Sequence, residues 1–269
     1  DFEWMMEGYR KGIITDERLE EALTRILGTK AALGLHKKAK TEILPEKEVA
    51  MAKIGLEENK AIAKEVSDKA ITLVKNTQDV LPITPEKTKR VLLVEAKGFD
   101  GGFGKFIEIM GGAKKKPIEI VKELLEAKGF DVEIWESPID KIMKLPKEEM
   151  AQALGNVYAG KRPIAELTSK YDLIINIANV NASVDQRLQW PPSKGTPDIP
   201  FYVNEIPTIF ISVKCPFHLA DVPQVKTYIN TYDDNQQTLE ALVEKLVGNT
   251  EFKGISPVDA FCGFGDTRF

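Results

Sequence analysis

DLIINIA at residues 172–178 is a run of seven residues in which only Asp172 and Asn176 are polar. A strand with one face in water alternates polar and apolar residues, whereas one covered on both faces reads as a nearly continuous apolar run. VLLVE at 91–95 and TIFISV at 208–213 share this character. Working outward, further strands are predicted at 70–75, 130–135 and 225–230. Helical patterns fall between them at 118–128, at 147–156, as a short helix at 201–205, and at 236–246, closed by Gly248. Apolar strands separated by helices predict an α/β fold, a mostly parallel sheet with helices on both faces.

The first residues read differently. DFEWMMEGYRKGIITDERLEEALTRILGTKAALGL places Phe2, Met5, Met6 and Tyr9 at helical spacing before Gly12. Thr15 then caps a second helix whose stripe is Leu19, Leu23, Ile26, Leu27 and Leu33, ending at Gly34. Two amphipathic helices with no strand before them have nothing of their own to cover, so residues 1–36 are expected to be the last layer of a preceding domain. The start at Asp1 rather than a methionine fits that expectation of a fragment. Residues 37–46 read as a lysine-rich linker, and a helix over 46–67 with Ala50, Ile54, Ala61, Ile62 and Val66 on its buried side opens the α/β domain at 47–269.

At 269 residues, with 43% hydrophobic content, the chain is long enough for one large or two small cores. A net charge of -4 argues against nucleic acid as a partner. No apolar run is long enough for a membrane span, no signal peptide is visible, and no compartment is read. Two cysteines nearly fifty residues apart, Cys215 and Cys262, and two histidines, His36 and His218, do not make a zinc site. Buried free thiols are expected, with a disulfide as the alternative.

Open parallel sheets bind ligands beyond the carboxyl ends of their strands, which directs attention to three loops. In KGFDGGFGK, residues 97–105, Gly102 and Gly104 begin a dinucleotide fingerprint that fails at Ile107, so the loop reads as a plain one. After 178 come Asn179, Asn181, Ser183, Asp185, Gln186, Arg187 and Trp190. Amides, a carboxylate and a guanidinium suit sugar hydroxyls, and an indole packs on the apolar side of a pyranose. The competing reading is a capping aspartate, a surface arginine and a core tryptophan. After 213, Cys215, His218 and Asp221 invite a nucleophile reading, but no third group holds a base in line, so a structural histidine is expected.

Four long blocks carry a family resemblance. The opening segment resembles the exit from the catalytic barrel of family-3 glycoside hydrolases, and AITLVKNTQDVLPI at 70–83 is similar to the strand that begins their second domain. EIPTIFISVKCPFHLADVPQVKTYINTY at 205–232 and KLVGNTEFKGISPVDAF at 245–261 resemble the β-N-acetylhexosaminidase branch more than the β-glucosidase branch. The resemblance implies an α/β sandwich following an upstream catalytic barrel, with carbohydrate bound where the domains meet and no metal or organic cofactor. Asp185, Arg187, Trp190 and His218 are the candidate substrate-binding residues.

No catalytic residue is expected in this chain. Glycoside hydrolysis requires two catalytic groups flanking the bond. The branch resembled uses an Asp-x-His pair and a separate aspartate on the barrel, and neither His36 nor His218 has an aspartate two positions before it. The glutamate acid/base of the β-glucosidase branch has no counterpart either, since the loop after 178 offers Asp185 but no glutamate. The function implied is release of terminal N-acetylglucosamine from cell-wall or chitin fragments by the parent enzyme. The rivals are a non-catalytic sugar- or partner-binding module and a flavodoxin-like nucleotide binder, the latter disfavoured by the broken glycine loop.

Overall fold

The computed structural model describes residues 1–98, 115–142, 144–159, 164–180, 187–190 and 196–269. The chain divides into two compact units, Asp1–Lys60 and Ala61–Phe269.

The first unit is helical. Helix α1 spans Phe2–Arg10 and α2 spans Asp16–Ala32, with Thr15 accepting from the Arg18 N–H at 3.3 Å as its cap. Gly12 and Gly34 follow the two helices with φ of +73° and +66°, as the sequence predicts. No residue of either helix is buried. The 37–46 stretch carries one turn of helix, α3 at Lys40–Ile43. The single helix expected over 46–67 is two, α4 at Lys47–Met51 and α5 at Glu57–Ala70. Gly55, at φ +71°, sits in the break, where the left-handed backbone that only glycine adopts at low cost ends the helical run. Its expected inner residues Ile54, Ile62 and Val66 are exposed. Periodicity shows that a face is apolar, and whether anything covers that face is a separate matter.

The second unit is the predicted sheet. Strands β1 (Thr72–Asn76), β2 (Arg90–Gly98), β3 (Asp131–Ile134), β4 (Leu173–Ala178), β6 (Thr208–Ser212) and β7 (Thr227–Asn230) lie in the order β1-β7-β6-β4-β2-β3. All neighbours are parallel except β1, which joins the edge antiparallel to β7. A two-residue β5, Leu188–Gln189, pairs antiparallel with the end of β2.

Alternation along the strands assigns the two faces. Val91, Leu93, Leu173, Ile175, Ile177, Ile209, Ile211 and Ile229 pack against α6 (Pro117–Ala127) and α10 (Gln236–Leu246) through Ile118, Val121, Leu125, Leu239, Leu242 and Leu246. The intervening residues Leu92, Val94 and Ile174 meet Leu167 of α9 (Ile164–Lys170) together with Tyr202 and Ile206. Further along that face, Phe210 and Tyr228 stack at 5.6 Å beneath Leu219, Val222 and Val225. β4, buried at every position, is central as its unbroken apolar run requires.

Two short helices were not legible beforehand, α7 (Pro138–Ile142) and α9, while α8 (Lys147–Ala159) was. The short helix expected at 201–205 is instead a turn, in which the Glu205 and Ile206 N–H groups both donate to the Tyr202 carbonyl at 3.0 Å.

Candidate functional site

The carboxyl ends of β2, β4, β6 and β7 gather the polar residues flagged by the sequence. β2 runs to Gly98, where an added Cβ would lie 2.4 Å from Val180 Cγ1, so the ends of β2 and β4 approach more closely than a side chain permits. That approach lets β5 pair with β2, matching Lys97 to Gln189 and Gly98 to Leu188. Leu188 is buried among Leu219, Val222 and Val180, fixing the chain on either side of it.

Arg187 and Trp190 flank this anchor. The Arg187 side chain is 68% exposed and pairs through Nε with Asp221 Oδ1, while the Asp221 side chain is only 5% exposed. Asp221 Oδ2 accepts the Leu188 N–H at 3.1 Å. Trp190 is 36% exposed. Asp185, the candidate carboxylate of this loop, lies outside the described residues. Asp221, at the end of the 3-10 turn His218–Ala220, is thirty-odd positions away from Arg187 and no local pattern signals the pairing.

His218 is wholly buried. Its Nδ1 is 2.8 Å from Ser212 Oγ, which in turn donates to the Cys215 carbonyl. A hydroxyl has one proton to give, so Nδ1 carries the hydrogen and donates to Oγ. The ring therefore braces the turn after β6 and presents no surface to a ligand in this conformation, in line with the structural reading of the histidine rather than with substrate contact. Cys215 is buried and Cys262 exposed, both as free thiols, so the expectation of free cysteines stands and that of burial fails for Cys262.

A second polar group lies beside these. Lys214, after β6, pairs with Asp234 Oδ2 at 2.7 Å, and Asn179 Nδ2 reaches the same oxygen at 3.4 Å. Asn179 Oδ1 is buried with no partner among the described residues. Asn235 then caps α10, accepting from the Thr238 N–H at 2.8 Å. The glycine loop and Asn181, Ser183 and Gln186 lie outside the described residues. Just before α6, Lys115 pairs with Glu123, and Lys116 lies 3.7 Å from Glu95.

Two surface hollows lie elsewhere, about 380 Å³ beside β1 and the 254–261 segment and about 600 Å³ beside β3, and neither is lined by Arg187 or Trp190. Both are open, and the charges of Arg90, Glu133 and Lys170 at the second are already met by the Arg90–Asp172 and Lys170–Glu133 pairs. Among the described residues no cluster of His, Cys, Asp and Glu is arranged to hold a metal ion, and no helix is long and apolar enough to cross a membrane.

The chain is 37% identical over 272 residues to a beta-N-acetylglucosaminidase/beta-glucosidase of Cellulomonas fimi, covering 100% of this chain and 43% of that protein. It superposes on the solved beta-glucoside phosphorylase BglX with a TM-score of 0.68 at 37% identity, over 100% of this chain and 43% of the other. A glycoside hydrolase family 3 beta-N-acetylglucosaminidase from Paenibacillus sp. str. FPU-7 shares the fold at TM-score 0.50 and 20% identity, over 93% and 40% of the two chains. Along its whole length the chain is similar in sequence to the first two enzymes, and it shares the fold of the C-terminal domains of family-3 glycoside hydrolases. No protein-family model matches it. It spans less than half the length of these relatives. In the family-3 fold, then, the Arg187–Asp221 pair and Trp190 sit at the carboxyl edge of the sheet.

Proposed function

We propose that this chain is the C-terminal domain of a β-N-acetylhexosaminidase-type glycoside hydrolase that releases terminal N-acetylglucosamine from cell-wall or chitin fragments, acting with an upstream catalytic barrel. The observation that carries the reading is the 37% identity, across the whole of this chain, to an enzyme named for both N-acetylglucosaminide and glucoside cleavage. In this reading residues 1–36 close the barrel, 37–46 link, and 47–269 form the sandwich. The exposed apolar residues of the opening helices, Phe2, Trp4, Met5, Leu23 and Ile26 among them, support a covering partner.

The proposed division of labour places bond cleavage on the barrel and substrate contact on this chain. Arg187 would donate to sugar oxygens and Trp190 would pack on the apolar side of the ring, with Asp185 nearby in sequence. A charge-assisted hydrogen bond of this kind is worth roughly 1.5 to 3 kcal/mol. Realised in the transition state, that is about a ten- to hundred-fold change in specificity constant.

A second reading, phosphorolysis of a β-glucoside, is favoured by the 37% likeness to a beta-glucoside phosphorylase. The two differ in whether water or phosphate takes up the glycosyl group.

The test assays the full-length gene product on aryl N-acetyl-β-glucosaminide and aryl β-glucoside, with and without inorganic phosphate, beside the 269-residue chain alone. Aglycone release by the full-length protein and none by the chain is expected. Turnover by the chain that a point substitution within it abolishes would overturn the reading, as would a full-length protein inert on both substrates. Arg187→Ala should lower the specificity constant at temperatures well below the melt, which itself falls modestly because the buried Asp221 carboxylate loses one partner.

A further inference from the structure

The Arg187 guanidinium stands on a side chain with four rotatable bonds and is 68% exposed, yet it is tied at Nε to a carboxylate that is almost fully buried. Exposed ion pairs seldom hold a long side chain in one geometry, because the entropy of ordering it offsets the attraction. This pair differs in that one partner cannot move. Both Asp221 oxygens are engaged, one by Arg187 Nε and the other by the Leu188 N–H at 3.1 Å, and the two donors belong to consecutive residues, Leu188 being the first of β5. Leu188 is itself packed into the core and paired with the end of β2. Asp221 thus joins the turn after β6 to the short strand that crosses the end of β2, and the joint lies at the root of the arginine.

We infer that Asp221 is a positioning residue, holding the Arg187 guanidinium preorganised for the oxygen atoms of a bound pyranoside. The inference rests on the reading of Arg187 as a substrate contact and adds what aims it. A side chain already fixed at Nε loses less freedom when a ligand binds, which strengthens binding without any new contact. Asparagine at 221 would keep an acceptor for one donor and lose the charge that holds the other.

The experiment uses the full-length enzyme and an aryl N-acetyl-β-glucosaminide, comparing Arg187→Ala, Asp221→Asn and the double variant for kcat, KM and melting temperature. Asp221→Asn should lower kcat/KM about ten-fold, chiefly through KM, and the double variant should be no worse than Arg187→Ala, since the two residues act as one unit. Equal losses from Asp221→Asn in the native and Arg187→Ala backgrounds, or a lowered melt with unchanged kcat/KM, would overturn the inference. Unchanged kinetics in Arg187→Ala would remove the underlying reading instead. Because Asp221 is buried, Arg187→Lys gives a second test that leaves it untouched. Lysine keeps the charge but has no Nε fork, so it should lose as much as alanine, and full activity in Arg187→Lys would overturn the inference even if Asp221→Asn did not fold.

Discussion

Lys245, with no exposed side-chain surface, donates to Asp68 Oδ1 at 2.7 Å across 177 positions of sequence. Its Nζ also donates to the Glu251 carbonyl at 2.7 Å, and Thr238 Oγ1 donates to Ser67 Oγ at 2.9 Å nearby. Together these contacts dock the end of α5 on α10, the helix that covers one face of the sheet.

The Asp68 carboxyl is held below its ordinary value of 3.8, first by the hydrogen bond from Lys245. A carboxylate depressed in the folded state contributes stability that is present above the unfolded value and lost as pH falls through the folded one. Asp68→Asn should therefore cost about 1 to 3 kcal/mol near neutrality, at the low end of the range for breaking a buried pair because Asp68 is partly exposed. The gap in melting temperature between variant and parent should close as the pH drops below 3.8. A gap independent of pH would show that the charge does not matter.

Gly248 ends α10 at φ +80°, and a Cβ there would lie 2.8 Å from Pro82 Cβ. Gly263, at φ +76°, has nothing within 4 Å of its added Cβ. Alanine at 263 should cost about 1 kcal/mol for the backbone alone, and alanine at 248 about 2 or more because the ring must also shift. Urea denaturation of the two variants separates the terms, and equal midpoints would count against the packing argument.

Tyr202, fully buried, donates to the Pro197 carbonyl at 3.0 Å, and its hydroxyl is 3.3 Å from Asn176 Oδ1 while Asn176 Nδ2 has no partner among the described residues. Reversing that amide lets Nδ2 donate to the phenol oxygen, the more consistent assignment. Burial pushes the Tyr202 hydroxyl well above its ordinary range, so it stays protonated as a donor. Tyr202→Phe should cost about 1 to 3 kcal/mol by stranding the amide, and adding Asn176→Val should recover part of the loss. Strict additivity in thermal melts would contradict this coupling.

Cys262 is exposed and Cys215 buried, and burial pushes both thiols above their ordinary value. One thiol should react with a disulfide reagent in the native protein, slowly near neutrality, and the second only on unfolding. Two fast equivalents in the folded chain would place Cys215 at the surface.

In this chain by itself, amides of Phe2–Arg10 and Asp16–Ala32 should exchange with solvent much faster than those of Leu173–Ala178, since neither helix buries a residue. Comparable protection in a demonstrated monomer would mean that the helices are held by contacts other than burial.

What the sequence determined alone was the sheet. The runs at 91–95, 172–178 and 208–213 could satisfy their backbone groups and hide both faces only as central parallel strands, and β2, β4 and β6 are those strands. Helix α10 matches the expected 236–246, closed by Gly248, whereas the single helix expected over 46–67 is interrupted at Gly55. The loop from Asn179 to Trp190 could be singled out by composition, but its geometry could not. Only the tertiary structure paired Arg187 with Asp221, because that contact joins segments brought side by side by the sheet order; the His218–Ser212 contact is local to the turn after β6, but the burial of that ring and the exposure of Cys262 depend on what packs over them. Local pattern sets which face of an element is apolar, and only the assembled sheet decides which polar groups meet at its end.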